Sequence, residues 1–192
     1  MTLATVEQVA ARLGRVIDVQ EQPRVQAFID DVSAMVRDYC GTDFQFHRDQ
    51  AVPLEPTPDL SIHLPYWARP VAGISSVRWD DGTAVDGWVY RQGSLWRSEG
   101  WRHAVQPLAS VVVTASYGYP AVPGTVTAAV CAEVIRWLAV QPGVERERVG
   151  DLEVTYGATA PTQGLSPATR EALRRYRRSV ISRDVWRAGH AL

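Results

Sequence analysis

Lysine is absent from this 192-residue chain, and all 20 of its basic residues are arginines. No single chemistry excludes the ammonium group everywhere, so the absence reads as the codon bias of a GC-rich genome. Long apolar runs are missing too: none approaches the roughly 20 residues that span a bilayer, and no membrane partner is expected. Residues Met1 to Leu13 form an amphipathic pattern that contains Glu7 and do not read as a signal peptide. The cytoplasm, or a particle assembled there, is the expected location. Cysteine is scarce, and Cys40 and Cys131 each sit in a helix-like apolar pattern, as buried free thiols do. A disulfide would need an oxidising compartment that nothing in the chain suggests.

Catalytic signatures are equally absent. His47, His63, His103 and His190 share no metal-ligand spacing with one another or with the cysteines. There is no Gly-x-Ser-x-Gly elbow, no phosphate-cradling Gly-x-x-x-x-Gly-Lys and no Gly-x-Gly-x-x-Gly. The pairs Asp30-Asp31 and Asp80-Asp81 are adjacent in sequence, so their side chains diverge, and a helix face and a turn account for them. No catalytic, metal or cofactor-binding residue is assigned, and the chain is not expected to be an enzyme.

What is present is apolar periodicity. Thr5 caps a short helix with a Val6, Val9, Ala10, Leu13 face, closed by Gly14. A longer helix, about 22 to 39, carries the stripe Val25, Phe28, Ile29, Val32, Met35, Val36 and Tyr39 and ends at Gly41. From Phe44 to about Tyr117, prolines preclude long helices, and five of the seven tryptophans gather there. Short strands are predicted at 61–64, 73–79, 88–91, 94–97 and 110–117, with a tight hairpin turn at Gln92-Gly93. Pro123 opens a third helix to about Val140, a brief strand follows at 152–156, and Ser166-Pro167 begins a fourth helix to about Arg178.

The predicted fold is α+β: a helical body of about four helices with a small antiparallel β-rich insertion between the second and third. The body takes residues 1–43 and 118–178, the insertion 44–117, and the C-terminal tail 179–192.

Charge is unevenly placed. Residues 165–192 hold seven arginines against Glu171 and Asp184, a net +5, which leaves −6 on the rest of a chain whose total is −1. The terminal helix suits a solvated face, docking on an acidic protein surface, or DNA binding; its arginines spread over about 160° at 100° per residue, too broad for one stripe. Sequence alone leaves these three open.

The stretch Ala4-Thr5-Val6-Glu7-Gln8-Val9-Ala10-Ala11-Arg12-Leu13-Gly14-Arg15 resembles the opening of head-to-tail connector (adaptor) proteins of long-tailed bacteriophages. Further stretches resemble them in the same order: Arg69-Pro70-Val71 with Ile74-Ser75-Ser76-Val77; Val113-Thr114 with Tyr117-Gly118-Tyr119-Pro120 and Pro123; Val149-Gly150-Asp151; and Leu173-Arg174-Arg175-Tyr176-Arg177-Arg178. Ala115-Ser116 departs from the pattern, where relatives often carry an aromatic and a bulkier polar residue.

The resemblance implies a homo-oligomeric ring, typically twelvefold, in the virion neck. Such a ring lies between the portal protein and a downstream neck or head-completion protein, and passes DNA through its channel without tight binding. By the same analogy Arg174, Arg175, Arg177, Arg178 and Trp186 are the portal-docking candidates, and no cofactor is implied. A DNA-binding module using the Arg-rich C-terminal helix is the alternative.

Overall fold

A computed structural model describes residues 1–103, 105–106, 109–139, 146–149, 152–155 and 164–177. In chain order the elements are α1 (Val6–Leu13), α2 (Gln22–Cys40), β1 (Phe46–Leu54), β2 (Ser61–His63), β3 (Val71–Trp79), β4 (Trp88–Arg91), β5 (Ser94–Arg97), β6 (Val111–Gly118), α3 (Gly124–Leu138), β7 (Arg146–Val149), β8 (Leu152–Thr155) and α4 (Pro167–Leu173). The chain divides into two compact units, Met1–Asp43 with Pro123–Leu192, and Phe44–Val122.

The first unit is helical where its side chains are described. Thr5 and Gln8 form a reciprocal capping box, the Gln8 amide donating to Thr5 Oγ1 at 3.3 Å and the Thr5 amide to Gln8 Oε1 at 3.0 Å. Val9, Val25, Ile29, Val32, Val36, Val126, Val130, Val134 and Leu173 are buried, so α1, α2, α3 and α4 each contribute one apolar stripe. Leu3 ties the chain start to two helices: its amide donates to Ser33 Oγ (3.1 Å) and its carbonyl accepts from Thr127 Oγ1 (3.0 Å). Cys40 and Cys131 are free and buried, and burial pushes the Cys40 thiol up to about 11.

The second unit stacks two antiparallel three-stranded sheets, ordered β1-β6-β3 and β2-β5-β4. β6 is a central strand whose alternate residues Val111, Val113, Ala115 and Tyr117 are buried. Facing residues Ile62, Leu64 and Leu95, with the fully buried Trp101, complete one apolar cluster. The Trp101 indole N–H donates to the Leu60 carbonyl at 3.2 Å, so the ring is buried with its polar atom satisfied. The β4–β5 turn places Gln92 and Gly93 at φ 48° and 82°, matching the twist of a two-residue hairpin.

These findings correct the predicted fold class. The β region is not a small insertion in a helical body. Among the described residues it holds six strands in two sheets with a core of their own, and a further hairpin, β7–β8, follows α3. The physical reason is that the buried face of β6 needs a complete apolar layer opposite it, and one small sheet cannot cover Leu95, Ile62 and Trp101.

β1 was not among the predicted strands. Its register breaks between His47 and Gln50, where Asp49 takes φ 46°, and Pro53 lies within it. Both features suit an edge strand, which β1 is. The expected helix to Arg178 is also shorter: α4 ends at Leu173 and tightens into a 3₁₀ turn over Arg174–Tyr176. Beyond Thr169 only Leu173 is buried there, so no apolar stripe sustains a longer helix.

Gly118 closes β6 with φ 93°, its amide donating to the Pro70 carbonyl at 2.8 Å. A Cβ there would lie 1.9 Å from the Gln45 carbonyl oxygen, whereas at Gly14 it would meet open space. Gly118→Ala therefore destabilises the fold by about 3 kcal/mol or more, and Gly14→Ala by about 1 kcal/mol. Thermal melts of the two variants, followed by circular dichroism, check that ranking.

Candidate functional site

The arginine-bearing segment, residues 164–177, is built onto α3. Ser166 caps α4: its Oγ accepts the Thr169 amide at 3.2 Å, and Pro167 supplies the first-turn φ. Thr169 and Leu173, one turn apart on the inner face, are buried. The Tyr39 hydroxyl of α2 donates to the Arg170 carbonyl at 3.1 Å.

The decisive group is Glu133 of α3, only 1% exposed. Its Oε1 accepts the Ser166 amide at 2.8 Å, and its Oε2 accepts from Arg136 Nε at 2.7 Å and Arg136 Nη2 at 2.6 Å. Arg136 also donates to the Gly164 carbonyl, so one ion pair holds the start of the segment from both sides. Burial pushes this carboxyl up, but the hydrogen bonds from Ser166, Thr169 and Arg136 outweigh it and hold the group below its usual range.

The arginines are presented unequally. Arg174 is exposed, and its ion pair with Glu171 at 3.4 Å joins two side chains that are 76% and 73% exposed, a contact worth little in water. Arg175 folds back over the Tyr176 ring, 4.7 Å from its centroid, and donates to Thr125 Oγ1 at 3.2 Å. The Arg177 guanidinium lies 5.6 Å from the centroid of Tyr39. Arg174 thus faces outward, Arg170 is exposed but donates its Nε to the Leu165 carbonyl at 3.0 Å, and Arg175 and Arg177 share their charge with aromatic neighbours of the same unit. Arg178 and Trp186 lie outside the described residues.

Sequence reasoning missed Glu133, Arg136 and Tyr39 as the residues that position this segment. One signal was readable. Glu133 falls on the Val126, Val130, Trp137 stripe of an otherwise apolar helix, with a cation three residues on.

His47 stacks on Tyr117 at 4.8 Å, the His63 Nδ1 lies 2.7 Å from Ser94 Oγ, and His103 Nε2 lies 3.6 Å from Asp81. His190 lies outside the described residues. Among the described residues no three His, Cys, Asp or Glu side chains converge as a metal would need. A cleft of about 520 Å³ beside α1 is lined by Val6, Ala10, Val16 and Ile17, with the Arg15–Glu21 ion pair at its rim and neither histidine nor cysteine in its wall. No described helix is long and apolar enough to cross a membrane. No protein-family model matches the chain, and no curated protein sequence matches it.

Glu133 provides a direct check on how the segment is held. Its folded-state carboxyl titrates below the ordinary value of 4.5, so its contribution is complete above that pH and is lost as pH falls through the folded value. Glu133→Gln lowers stability by about 2 kcal/mol at neutral pH, and the gap to wild type narrows under acid conditions. Urea melts of both proteins at neutral and acid pH measure the gap, and amide exchange shows the loss concentrated in residues 166–177.

Proposed function

We propose that this chain is a structural subunit of a bacteriophage neck. Copies assemble into a ring that joins the portal of the DNA-filled head to the next neck protein and lets DNA pass. In this reading the protein acts in the virion, needs no cofactor and carries out no reaction. The ordered resemblance to connector proteins, running from Ala4 to Arg178, supplies the identity of the assembly.

The observation that carries the reading is the arginine-bearing segment itself. A surface meant for a protein partner gains affinity when its charges are held in place before contact, because less side-chain and loop entropy is lost on binding. Here Leu173, Thr169 and the Glu133–Arg136 pair fix the backbone from which Arg170 and Arg174 project. Such charges suit an acidic docking surface on the portal, where electrostatic complementarity speeds encounter and fixes register. A ring that conducts DNA also avoids holding it, since each neutralised phosphate adds salt-dependent affinity that retards passage.

The test is portal binding by charge-reversed protein. Arg170→Glu with Arg174→Glu weakens capture of the portal protein from the same genome by at least about tenfold and leaves the melting temperature unchanged. Undiminished capture contradicts the docking role. Tight duplex binding that falls steeply with salt and is lost in the same variant would instead favour a DNA-binding module.

A further inference from the structure

The outward face of sheet β2-β5-β4 is exposed around Trp96. Trp96, in the central strand, is 47% exposed, and Val89, directly opposite it on β4, is 52% exposed; Ser61 of β2 flanks it on the other side. Two residues along, Ser94 is on the same side of the strand but buried, and it stands opposite His63 and Arg91, both exposed. An exposed tryptophan beside an aliphatic residue, with arginine and histidine at the margin, has the composition of an interface centre and its rim. None of these six positions carries a carboxylate, so the face is apolar and cationic.

The same chain carries a complementary surface. On α2, residues Ala27, Asp30, Asp31, Ala34 and Asp38 fall within an arc of about 100°. All but the half-buried Ala34 are exposed. The Gln26 side chain donates to Asp30 at 3.1 Å, but none of the described ion pairs includes Asp31 or Asp38. Arg24, at the start of this face, turns over the Phe28 ring at 5.4 Å. The face is therefore acidic and smooth, since its apolar members are alanines that let a flat aromatic ring approach the helix closely.

We propose that these two surfaces are the two halves of one contact between copies: the Trp96–Val89 face of one subunit receives the Ala27–Asp38 face of α2 from the next. The contact rests on the ring reading above and specifies its interface. Two different patches on one chain, opposite in charge, make a head-to-tail contact, the type that a cyclic ring requires. Asp31 and Asp38 meet Arg91 and His63, while Ala27 and Ala34 cover Trp96.

Photocross-linking tests the contact without depending on a closed ring. The full-length protein with Val89 replaced by benzoylphenylalanine is irradiated at high concentration, the dimer band is digested, and the adduct is located by mass spectrometry, with negative-stain microscopy of the protein alone and mixed with the portal protein alongside. The expected adduct lies on residues 27–38. Charge exchange adds a second readout. Arg91→Asp alone and Asp31→Arg/Asp38→Arg alone each weaken self-association about tenfold or more, and an equimolar mixture of the two variants restores it. Rings with the adduct elsewhere, or charge variants that assemble like wild type, overturn this interface and leave the ring reading standing. An adduct on α2 without rings keeps the contact and removes the ring. Neither adduct nor rings overturns both.

Discussion

A carboxylate buried among valines must be fully satisfied or it is expelled, and Glu133 meets that demand with bonds from Ser166 and Arg136. The demand reaches well beyond one side chain. It places the first turn of α4 against α3, and Leu173 then completes the core of the helical unit. The 3₁₀ turn over Arg174–Tyr176 follows, where no apolar stripe sustains the helix further. Apolar packing alone would leave α4, with only Thr169 and Leu173 buried, free to slide along its neighbours.

Much of the helical unit was legible in the sequence, because three- and four-residue spacing survives as burial. The Thr5 cap, the Gly14 and Gly41 ends and the α2 stripe all depend on neighbours in the chain. The Gln92-Gly93 turn is local in the same sense. The illegible parts depend on long-range contacts. β1 hides behind Arg48, Asp49 and Gln50 because its bulge breaks the two-residue alternation, which only pairing with β6 restores. The second sheet could not be separated from the first without the Trp101 core between them. The arginine-bearing segment was legible as charge and not as geometry: that Arg177 leans on Tyr39 is a tertiary fact.

In the proposed assembly the two units offer different kinds of surface. The helical unit offers charge of both signs, cationic at Arg170 and Arg174 and acidic along α2. The β unit offers aromatic area, with Trp96 and Val89 outermost on a sheet whose inner face is anchored by Leu95 and Ile62. Its histidines belong to this scaffold, one stacked on Tyr117, one bonded to Ser94 and one beside Asp81. In the proposed assembly, specificity would lie in the pairing of unlike faces.

The central claim is that copies of this chain close into a ring. Negative-stain class averages of the purified protein, alone and mixed with the portal protein from the same genome, measure this directly. The account predicts closed rings of a single subunit number with an open channel, seen in at least one of the two samples. Monomers at every concentration in both samples would contradict it.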